Sequence, residues 1–290
     1  KYFSITNLKN TNMGYTYSLS ALFEKSFYFG LDLAASYTFG HSKSVYDGTS
    51  SVAYSNWKYN YAVDSNNPGL AYSMFDIPHR VMVSVGYRTP RYAKGFMATT
   101  VSLVYNGYVG QRYSLTMNES YYDAEKKKTV YIDYNGDGWG GNSLLYIPTE
   151  DELQKMDFKT EEDRRKFDEW IEGDSYAKKH RGAYAMRNSN SALWENRVDL
   201  HVAQDIFVLK DRGSKFQVTF DVTNFANMLN KKWGTTYTAA YNVMPLQVIG
   251  SKKGEDGNYT NTYAYNSRNT ITKNDVLSRW HAQIGIKYIF

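Results

Sequence analysis

The sequence predicts an all-β fold: part of a large transmembrane antiparallel β-barrel with long extracellular loops, one of which contains short helices. Three observations lead to this prediction. Seven segments alternate apolar and polar residues with the period of a β-strand. Short and long connections alternate strictly between these segments. Tyrosine, which suits both strands and membrane–water interfaces, accounts for 28 of the 290 residues.

The overall composition narrows the class of protein. Hydrophobic residues make up 42% of the chain, which argues against disorder throughout. The mean hydropathy is −0.59 and no apolar run approaches the length of about 18 residues that a spanning helix needs. The net charge of +5 is spread along the chain, without a basic cluster dense enough for nucleic acid. Because the chain has no cysteine, it has no disulfides, thiolate nucleophiles or sulfur-ligated metals.

Four of the alternating segments lie in the first part of the chain. In the second of them, Leu31 and Leu33 share one face of the predicted strand, whereas Asp32 lies on the other face. The fourth segment alternates less clearly than the others. The four segments are Met13–Glu24, Phe27–Gly40, Arg80–Arg88 and Phe96–Tyr105.

Three more segments follow: Arg197–Val208, Lys215–Thr223 and the C-terminal Trp280–Phe290. None of the seven apolar faces carries a charge, and charged residues fall on the opposite faces. This segregation suits a strand with lipid on one side and a polar lumen on the other. The half-buried strands of a soluble β-sandwich alternate in the same way, so periodicity alone favours neither class. The polar-face residues predicted to face the lumen are Arg80, Asp199, His201, Asp221, His281 and Lys287.

The connections favour the barrel. Lys25–Ser26, Thr89–Gly95 and Leu209–Ser214 are predicted turns, whereas extracellular loops are predicted near 41–77, 106–195 and 224–279. Loops of this length are rare in compact soluble domains. If the terminal Phe290 is periplasmic, all three turns are periplasmic and all three long loops are extracellular. Since bacterial barrels normally have an even number of strands, we expect residues 1–290 to be the C-terminal section of a larger barrel, with the plug domain absent from this chain.

The second long loop contains a helical pattern. Thr149 with Glu152 and Thr160 with Asp163 have the spacing of N-cap pairs. The stretch Glu161–Glu172 that follows is highly charged and has a thin apolar stripe. One interpretation is a short surface helix packed on its own loop. The other is a docking surface for a surface lipoprotein or a ligand, formed by Phe167, Trp170 and Ile171.

A possible metal loop lies just before this helix. Asp133, Asn135, Asp137 and Gly138 spell the first half of an EF-hand-type calcium loop. The twelfth position is Leu144, where such a loop needs a bidentate glutamate. The sequence therefore leaves two interpretations open: a calcium site, and a tight turn built from Asn, Asp and Gly.

The sequence offers no sign of an enzyme. The five histidines lack metal-ligand spacing, and there is no nucleophile elbow, phosphate-binding loop or dinucleotide fingerprint. Aromatic residues instead collect near the ends of the segments, which is typical of the girdles at the two membrane interfaces, although cross-strand packing also uses such residues. They are Tyr15, Tyr17, Tyr37, Phe39, Tyr87, Tyr105, Trp280, Tyr288 and Phe290.

Several stretches resemble the C-terminal barrel of TonB-dependent outer-membrane transporters, in particular the Oar-like group with a carboxypeptidase-regulatory-like N-terminal domain. The last strand also resembles the closing strand of bacterial outer-membrane barrels, and its insertion signal would be Trp280, Ile284, Ile286, Tyr288 and Phe290. The other matching stretches are Phe75–Val81 (F-D-I-P-H-R-V), Tyr134–Pro148 (Y-N-G-D-G-W-G-G-N-S-L-L-Y-I-P), Arg181–Asn188 (R-G-A-Y-A-M-R-N), Trp194–Leu200 (W-E-N-R-V-D-L) and Asp221–Gly234 (D-V-T-N-F-A-N-M-L-N-K-K-W-G).

The resemblance implies a barrel of about 22 strands, closed by an N-terminal plug, in the cell outer membrane. It implies uptake of a scarce or bulky nutrient, energised through TonB, with tyrosine-rich loops such as 44–72 and 234–265 capturing the ligand. The implied partners are the lipid bilayer, the outer-membrane insertion machinery, the TonB complex acting through a region outside these residues, and a surface lipoprotein. Two alternatives stay open: a structural, adhesion or assembly-scaffold barrel without transport, and a secreted soluble β-sandwich.

Overall fold

The computed structural model describes residues 7, 9–208, 214–239, 242–255, 257–267 and 271–290. It is mostly β, with 47% strand, 14% helix and largely antiparallel sheets. Among the described residues, no helix has the length and apolar character needed to cross a membrane.

Two pairs of long strands flank the first long connection. The elements in this part of the chain are β1 (Tyr15–Ser26), β2 (Leu31–Ser44), α1 (Ala53–Lys58), β3 (Ala71–Tyr72), β4 (His79–Arg88) and β5 (Met97–Tyr108).

Short elements fill the second long connection. They are β6 (Arg112–Leu115), β7 (Ser120–Asp123), β8 (Lys128–Tyr131), β9 (Tyr146–Ile147), α2 (Glu150–Lys155), β10 (Asp157–Phe158), α3 (Glu161–Gly173), a 3₁₀ turn at Ala177–Lys179, β11 (Ala183–Tyr184) and β12 (Asn190–Ser191).

The last part of the chain holds three long strands and the third long connection. Its elements are β13 (Glu195–Phe207), β14 (Lys215–Thr223), α4 (Phe225–Leu229), β15 (Tyr237–Thr238), β16 (Asn242–Val243), β17 (Leu246–Lys253), β18 (Tyr259–Tyr265), β19 (Thr272–Lys273), α5 (Asp275–Ser278) and β20 (His281–Ile289).

All seven predicted segments form strands of one antiparallel sheet, the main sheet, in the order β1-β2-β4-β5-β13-β14-β20, with the short β3 added beside β2. The sheet is open, because among the described residues β1 and β20 each pair on one side only. The three long connections leave from the strand ends along one side of the sheet, and this side is here called the cap edge. The short connections lie at the opposite edge, the turn edge; Leu209–Gly213, in the third predicted turn, lie outside the described residues.

The register aligns the apolar residues of neighbouring strands. Leu33 lies opposite Val85, which lies opposite Leu103. The row continues through Leu200, Val222 and Ala282. Because side chains alternate along each strand, this register produces one continuous apolar face and one polar face. Lys25 and Lys43 lie on the apolar side, contrary to the expectation of a charge-free face, but at its two ends, opposite Leu33 and Tyr15.

The start of the second strand was predicted wrongly. Lys25 and Ser26 belong to β1, and β2 begins only at Leu31, so Phe27 and Phe29 lie in the turn. The turn closes through a hydrogen bond from the Phe27 amide to the Leu31 carbonyl at 2.8 Å. Gly30 permits it, because φ is +93° there and a Cβ would lie 2.2 Å from the carbonyl oxygen of Arg88.

The long connections are not structureless loops. The described residues within 45–78, 109–194 and 224–280, here called the cap, pack together at the cap edge and contain the hydrophobic core of the described chain. Leu115 and Ile147 of the second connection and Leu246 of the third are among its buried members. The apolar face of the main sheet is instead exposed: Leu19 is 73% and Ile286 76% exposed. Most of the apolar face of the main sheet therefore has no cover within the described part of the chain.

Candidate functional site

The predicted lumen residues all lie on the polar face of the main sheet. Two of them meet, because the Nδ1 atom of His201 lies 2.5 Å from a carboxylate oxygen of Asp221. Arg80 instead donates to the Asn106 side chain at 3.1 Å. Asp199 accepts from the Asn224 amide at 2.7 Å and from Arg197. His281 and Lys287 lie opposite Thr223 and Gln217 across β14, so the six residues line one surface without forming one cluster.

A stronger polar cluster lies near the turn edge of the same face, and the sequence did not single it out. Asp205 is only 2% exposed. Its carboxylate accepts hydrogen bonds from Arg88 at 2.7 Å, Lys215 at 2.7 Å and Gln217 at 2.9 Å. The three partners come from two other strands, β4 and β14, and no local spacing relates them to Asp205. This network fixes the polar face where the short turns begin.

The cap contains a cavity of about 360 Å³ between the first and second long connections. Three tyrosines, at 46, 59 and 61, and the amide of Asn56 line it together with two arginines. Arg112 and Arg187 are buried, at 7% and 4% exposed. A concave site with aromatic rings and a few fixed polar groups is typical of small-molecule binding. This cavity, here called the cap pocket, is the candidate functional site.

Arg187 fixes one side of the cap pocket. Its guanidinium donates to the carbonyl oxygens of Ser44 and Val45, both at 2.6 Å, and to the side chain of Asn60. Burial lowers the pKa of Arg187 from its usual value, and the nearby Asp47 carboxylate opposes this effect. The Nε atom is buried without a hydrogen-bond partner among the described residues. Arg187 therefore holds the start of the first connection through side-chain hydrogen bonds, although it lies 142 residues further along the chain than Val45.

Arg112 and Asp76 form a buried ion pair beside the cap pocket. Asp76 accepts from Nε and Nη2 of Arg112 at 3.0 and 2.6 Å, and from the Ser42 amide at 2.6 Å. The Arg112 guanidinium also lies 4.1 Å from the ring centre of Tyr72. Because Ser42 is in β2 and Arg112 in β6, this pair ties the cap to the main sheet.

Asn188 completes the support of the cap pocket. It adopts a left-handed conformation with φ of +55°. Its side-chain amide donates to the Tyr72 carbonyl at 2.8 Å and to Asp47 at 3.2 Å, and its backbone amide donates to the Ser114 hydroxyl at 2.9 Å. Asp76, Arg187 and Asn188 all occur in the motif stretches 75–81 and 181–188. The motifs were the available signal for the pocket, but they did not reveal its geometry.

The Asp133 loop is held by its own hydrogen bonds. Asp133 accepts from the backbone amides of Asp137 at 3.2 Å and Gly138 at 2.8 Å. One carboxylate oxygen of Asp137 accepts from Ser65, Asn135 and Asn142. In the described part of the chain, no group of three or more His, Asp or Glu side chains is placed to hold a metal ion. The arrangement has the bonds of a tight Asx turn, and calcium binding by Asp133, Asn135 and Asp137 stays a prediction.

The predicted helix caps are present. Thr149 and Glu152 form a complete capping box on α2, and Thr160 caps α3. Phe167 and Ile171 are fully buried in the cap core, and Trp170 stacks on Phe167 with ring centres 6.0 Å apart. The helix therefore packs beyond its own loop, against residues such as Tyr263 and Tyr265 of the third connection. Phe167 and Ile171 are therefore part of the core and are not available for docking, whereas Trp170 is only partly buried and docking through it stays a prediction.

The predicted insertion-signal residues lie on an uncovered surface at the C-terminal edge of the sheet. Trp280, Tyr288 and Phe290 are 46%, 48% and 95% exposed, and Ile284 and Ile286 exceed 70%. Tyr288 contacts Phe216 of β14 with ring centres 4.9 Å apart, so these aromatics also pack across strands.

Comparison with protein-family models, curated proteins and solved structures found no match to this chain.

Proposed function

We propose that this chain forms a section of the wall of an outer-membrane β-barrel, in which the apolar face of the main sheet contacts lipid and the polar face lines the lumen. The continuous exposed apolar face carries the proposal. Ten large apolar side chains on it are at least 36% exposed: Leu19, Phe23, Val85, Val101, Leu103, Ile206, Phe216, Phe220, Ile284 and Ile286. Each half-exposed side chain loses roughly 1 kcal/mol of hydrophobic free energy by facing water instead of being buried. For the ten together, this loss approaches the free energy of unfolding of a typical domain.

Strand length and stagger support the same placement. The seven long strands have 9 to 14 residues, and about 9–11 residues at a tilt span the hydrocarbon core. The cross-strand row that begins at Leu33, near the turn edge of β2, ends at Ala282, near the cap edge of β20. Such a progressive shift is the shear that closing a sheet into a barrel requires. We propose that the free edges of β1 and β20 pair with other strands of that barrel.

The chain has no cysteine, so single cysteines can be introduced and spin-labelled cleanly. In protein reconstituted into lipid vesicles, labels at Val101→Cys and Ile286→Cys should be relaxed by oxygen, which partitions into lipid. Labels at the neighbouring Thr100→Cys and Lys287→Cys should respond to a water-soluble nickel chelate instead. Equal exposure of both members of each pair to the water-soluble reagent would refute the proposal that the main sheet is a barrel wall with one face in lipid.

For the wider activity, we propose uptake of a scarce or bulky nutrient energised through TonB, with capture in the cap pocket. The support is the pocket itself: it lies in the cap, between the first and second long connections, and it is built on side chains fixed by buried hydrogen bonds. Pre-formed pockets lose less ordering entropy on binding. Tyr46, Tyr59 and Asn56 offer rings and an amide to sugars, peptides or chelates.

The experiment compares uptake of labelled oligosaccharides, peptides and metal chelates by cells that carry wild-type or variant protein. Tyr59→Ala, with Asn56→Ala, should reduce uptake of the active ligand at least tenfold. Tyr122→Ala, whose ring is 64% exposed on the β7–β8 hairpin, is the matched control and should leave uptake unchanged. A protonophore should abolish uptake but not surface binding. Deleting the whole loop is uninformative, because Ser44 and Tyr72 also anchor Arg187 and Asn188.

The second candidate is a structural barrel that serves adhesion or assembly without transport. The packed cap favours it, because a rigid outer surface with its own hydrophobic core is suitable for holding a partner. Uptake and growth that do not change in a deletion strain, together with loss of cell attachment, would support this candidate over transport.

A further inference from the structure

Two segments of the third connection, 224–236 and 272–280, join at the cap edge beside β14 and β20; together they are called the rim. The Asn224 side chain donates to the carbonyl oxygens of Gly234 and Ser278, both at 2.8 Å. The Asn274 amide donates to the Thr236 carbonyl at 2.9 Å. Asn224 and Ser278 are 3% and 2% exposed. These buried bonds make the rim one ordered unit.

The rim packs against the cap edge of the main sheet and contacts both of its faces. Val222, an apolar-face residue at the cap edge of β14, is 1% exposed, whereas Phe220 on the same face is 39% exposed. The neighbouring polar-face side chain of Asp221 is 43% exposed. α4 packs against β13, the strand that pairs with Val222 through Leu200. On the polar face, the Thr236 hydroxyl donates to the Glu195 carboxylate at 3.0 Å and the Asn224 backbone amide donates to the Asp199 carboxylate at 2.7 Å. Val222 is therefore covered where the rim meets the sheet, and the rim also reaches the polar face.

The outer surface of the rim combines apolar and cationic side chains. Its exposed large apolar residues are Met228, Leu229, Trp233, Val276, Leu277 and Trp280, between 39% and 69% exposed. The rim also carries four cations and one carboxylate: Lys231, Lys232, Lys273, Arg279 and Asp275. Lys273 lies 3.5 Å from Asp275. Within the described residues, the other three cations have no ion-pair partner.

We infer that the rim binds the phosphate groups of an anionic lipid in the leaflet beside the cap, an inference that rests on the proposed membrane wall. The apolar side chains continue the lipid-facing surface, and the cations stand at its cap-side border, where headgroups begin. Exposed aromatic and aliphatic residues next to lysine and arginine are the composition that anchors a protein surface at an anionic headgroup layer. Long basic side chains can keep their stems in the apolar layer while their charges reach phosphate.

The test is native mass spectrometry of detergent-solubilised protein with two probes: diphosphoryl lipid A and the same lipid after phosphatase treatment. Wild-type protein should retain the phosphorylated lipid at least about tenfold better, as three cations at headgroup level allow. The triple variant K231Q/K232Q/R279Q should bring the two lipids close to equal retention. The control variant K126Q/K127Q/K128Q removes three exposed lysines from the β7–β8 hairpin and should keep the preference.

Equal retention of the two lipids by wild-type protein would overturn the inference, as would an equal loss of preference in the control variant. Displacement of the lipid by millimolar inorganic phosphate would also overturn it, because it would indicate a simple anion site. The spin label at Ile286→Cys separates this result from the wall proposal. If the spin label at position 286 is exposed to lipid but the protein shows no preference for the phosphorylated lipid, only the rim inference is refuted. If the label is exposed to water, the proposal of a barrel wall is refuted as well.

Discussion

The buried ion pair between Arg112 and Asp76 allows a quantitative test of how the cap is held to the main sheet. The perturbation is Arg112→Met, which keeps an unbranched side chain but removes the guanidinium. Asp76, 2% exposed, would then keep the Ser42 amide and the His41 ring as its neighbours. The variant also loses the contact with Tyr72 and a hydrogen bond to the Ser189 carbonyl.

Removing one partner of a buried ion pair costs about 3–5 kcal/mol, because the other charge stays buried without compensation. Opening of the cap should therefore become about two to three and a half orders of magnitude more frequent, since each 1.4 kcal/mol is roughly a factor of ten. The matched control is Arg165→Met on α3, where the arginine is 57% exposed and pairs with Glu162 and Glu169. An exposed pair contributes about 1 kcal/mol or less.

The assay is limited proteolysis of the full protein in detergent, with cleavage in the cap measured against protease concentration. When opening and closing are faster than cleavage, the cleavage rate follows the population of the open form. Arg112→Met should be cleaved at least roughly a hundredfold faster than wild type and Arg165→Met less than about tenfold faster. Similar rates for the two variants would refute the conclusion that this ion pair anchors the cap.

Two further outcomes follow from particular backbone and titration features. Gly30→Ala should lower the fraction of folded, protease-resistant protein after refolding, because φ at this position is +93° and the new Cβ would lie 2.2 Å from the Arg88 carbonyl oxygen. Gly48→Ala, at φ +63° with open space around it, is the control and should have a smaller effect. Burial raises the pKa of Glu119 from its ordinary value, so the stability associated with its neutral form is complete below its unfolded pKa and is lost as pH rises through the folded pKa. Glu119→Gln should therefore protect the cap from proteolysis relative to wild type near pH 7 but not near pH 4, and an equal effect at both would contradict this assignment.

The strands were predictable because their signal is local. Alternation along one strand, as from Leu31 to Phe39, reports which side chains share a face, and no distant contact is needed to see it. The N-caps at Thr149 and Thr160 were predictable for the same reason. The start of β2 was missed because Phe27 and Phe29 fit the alternation, while the decisive residue, Gly30, contributes only backbone freedom.

The cap pocket was not predictable from spacing. Arg187 meets Val45 across 142 residues, and Asp76 meets Arg112 across 36, with no periodic pattern to relate them. The helical stripe of α3 was visible, but its partners Tyr263 and Tyr265 are about a hundred residues further along the chain. A stripe of apolar residues indicates that something covers it, and only the fold shows what does.

The separation of the hydrophobic core from the main sheet implies an order of assembly. The cap core draws on connections that start and end on neighbouring strands: pairing of β5 with β13 brings Tyr108 opposite Glu195, and so closes the second connection. Until such pairs form, contacts between cap residues this far apart in sequence would require closing very long loops, which has a high cost in conformational entropy. The cap should therefore fold after the strands pair. Variants that damage only the cap core, such as Phe167→Ala, should still form the main sheet while leaving the cap open to protease.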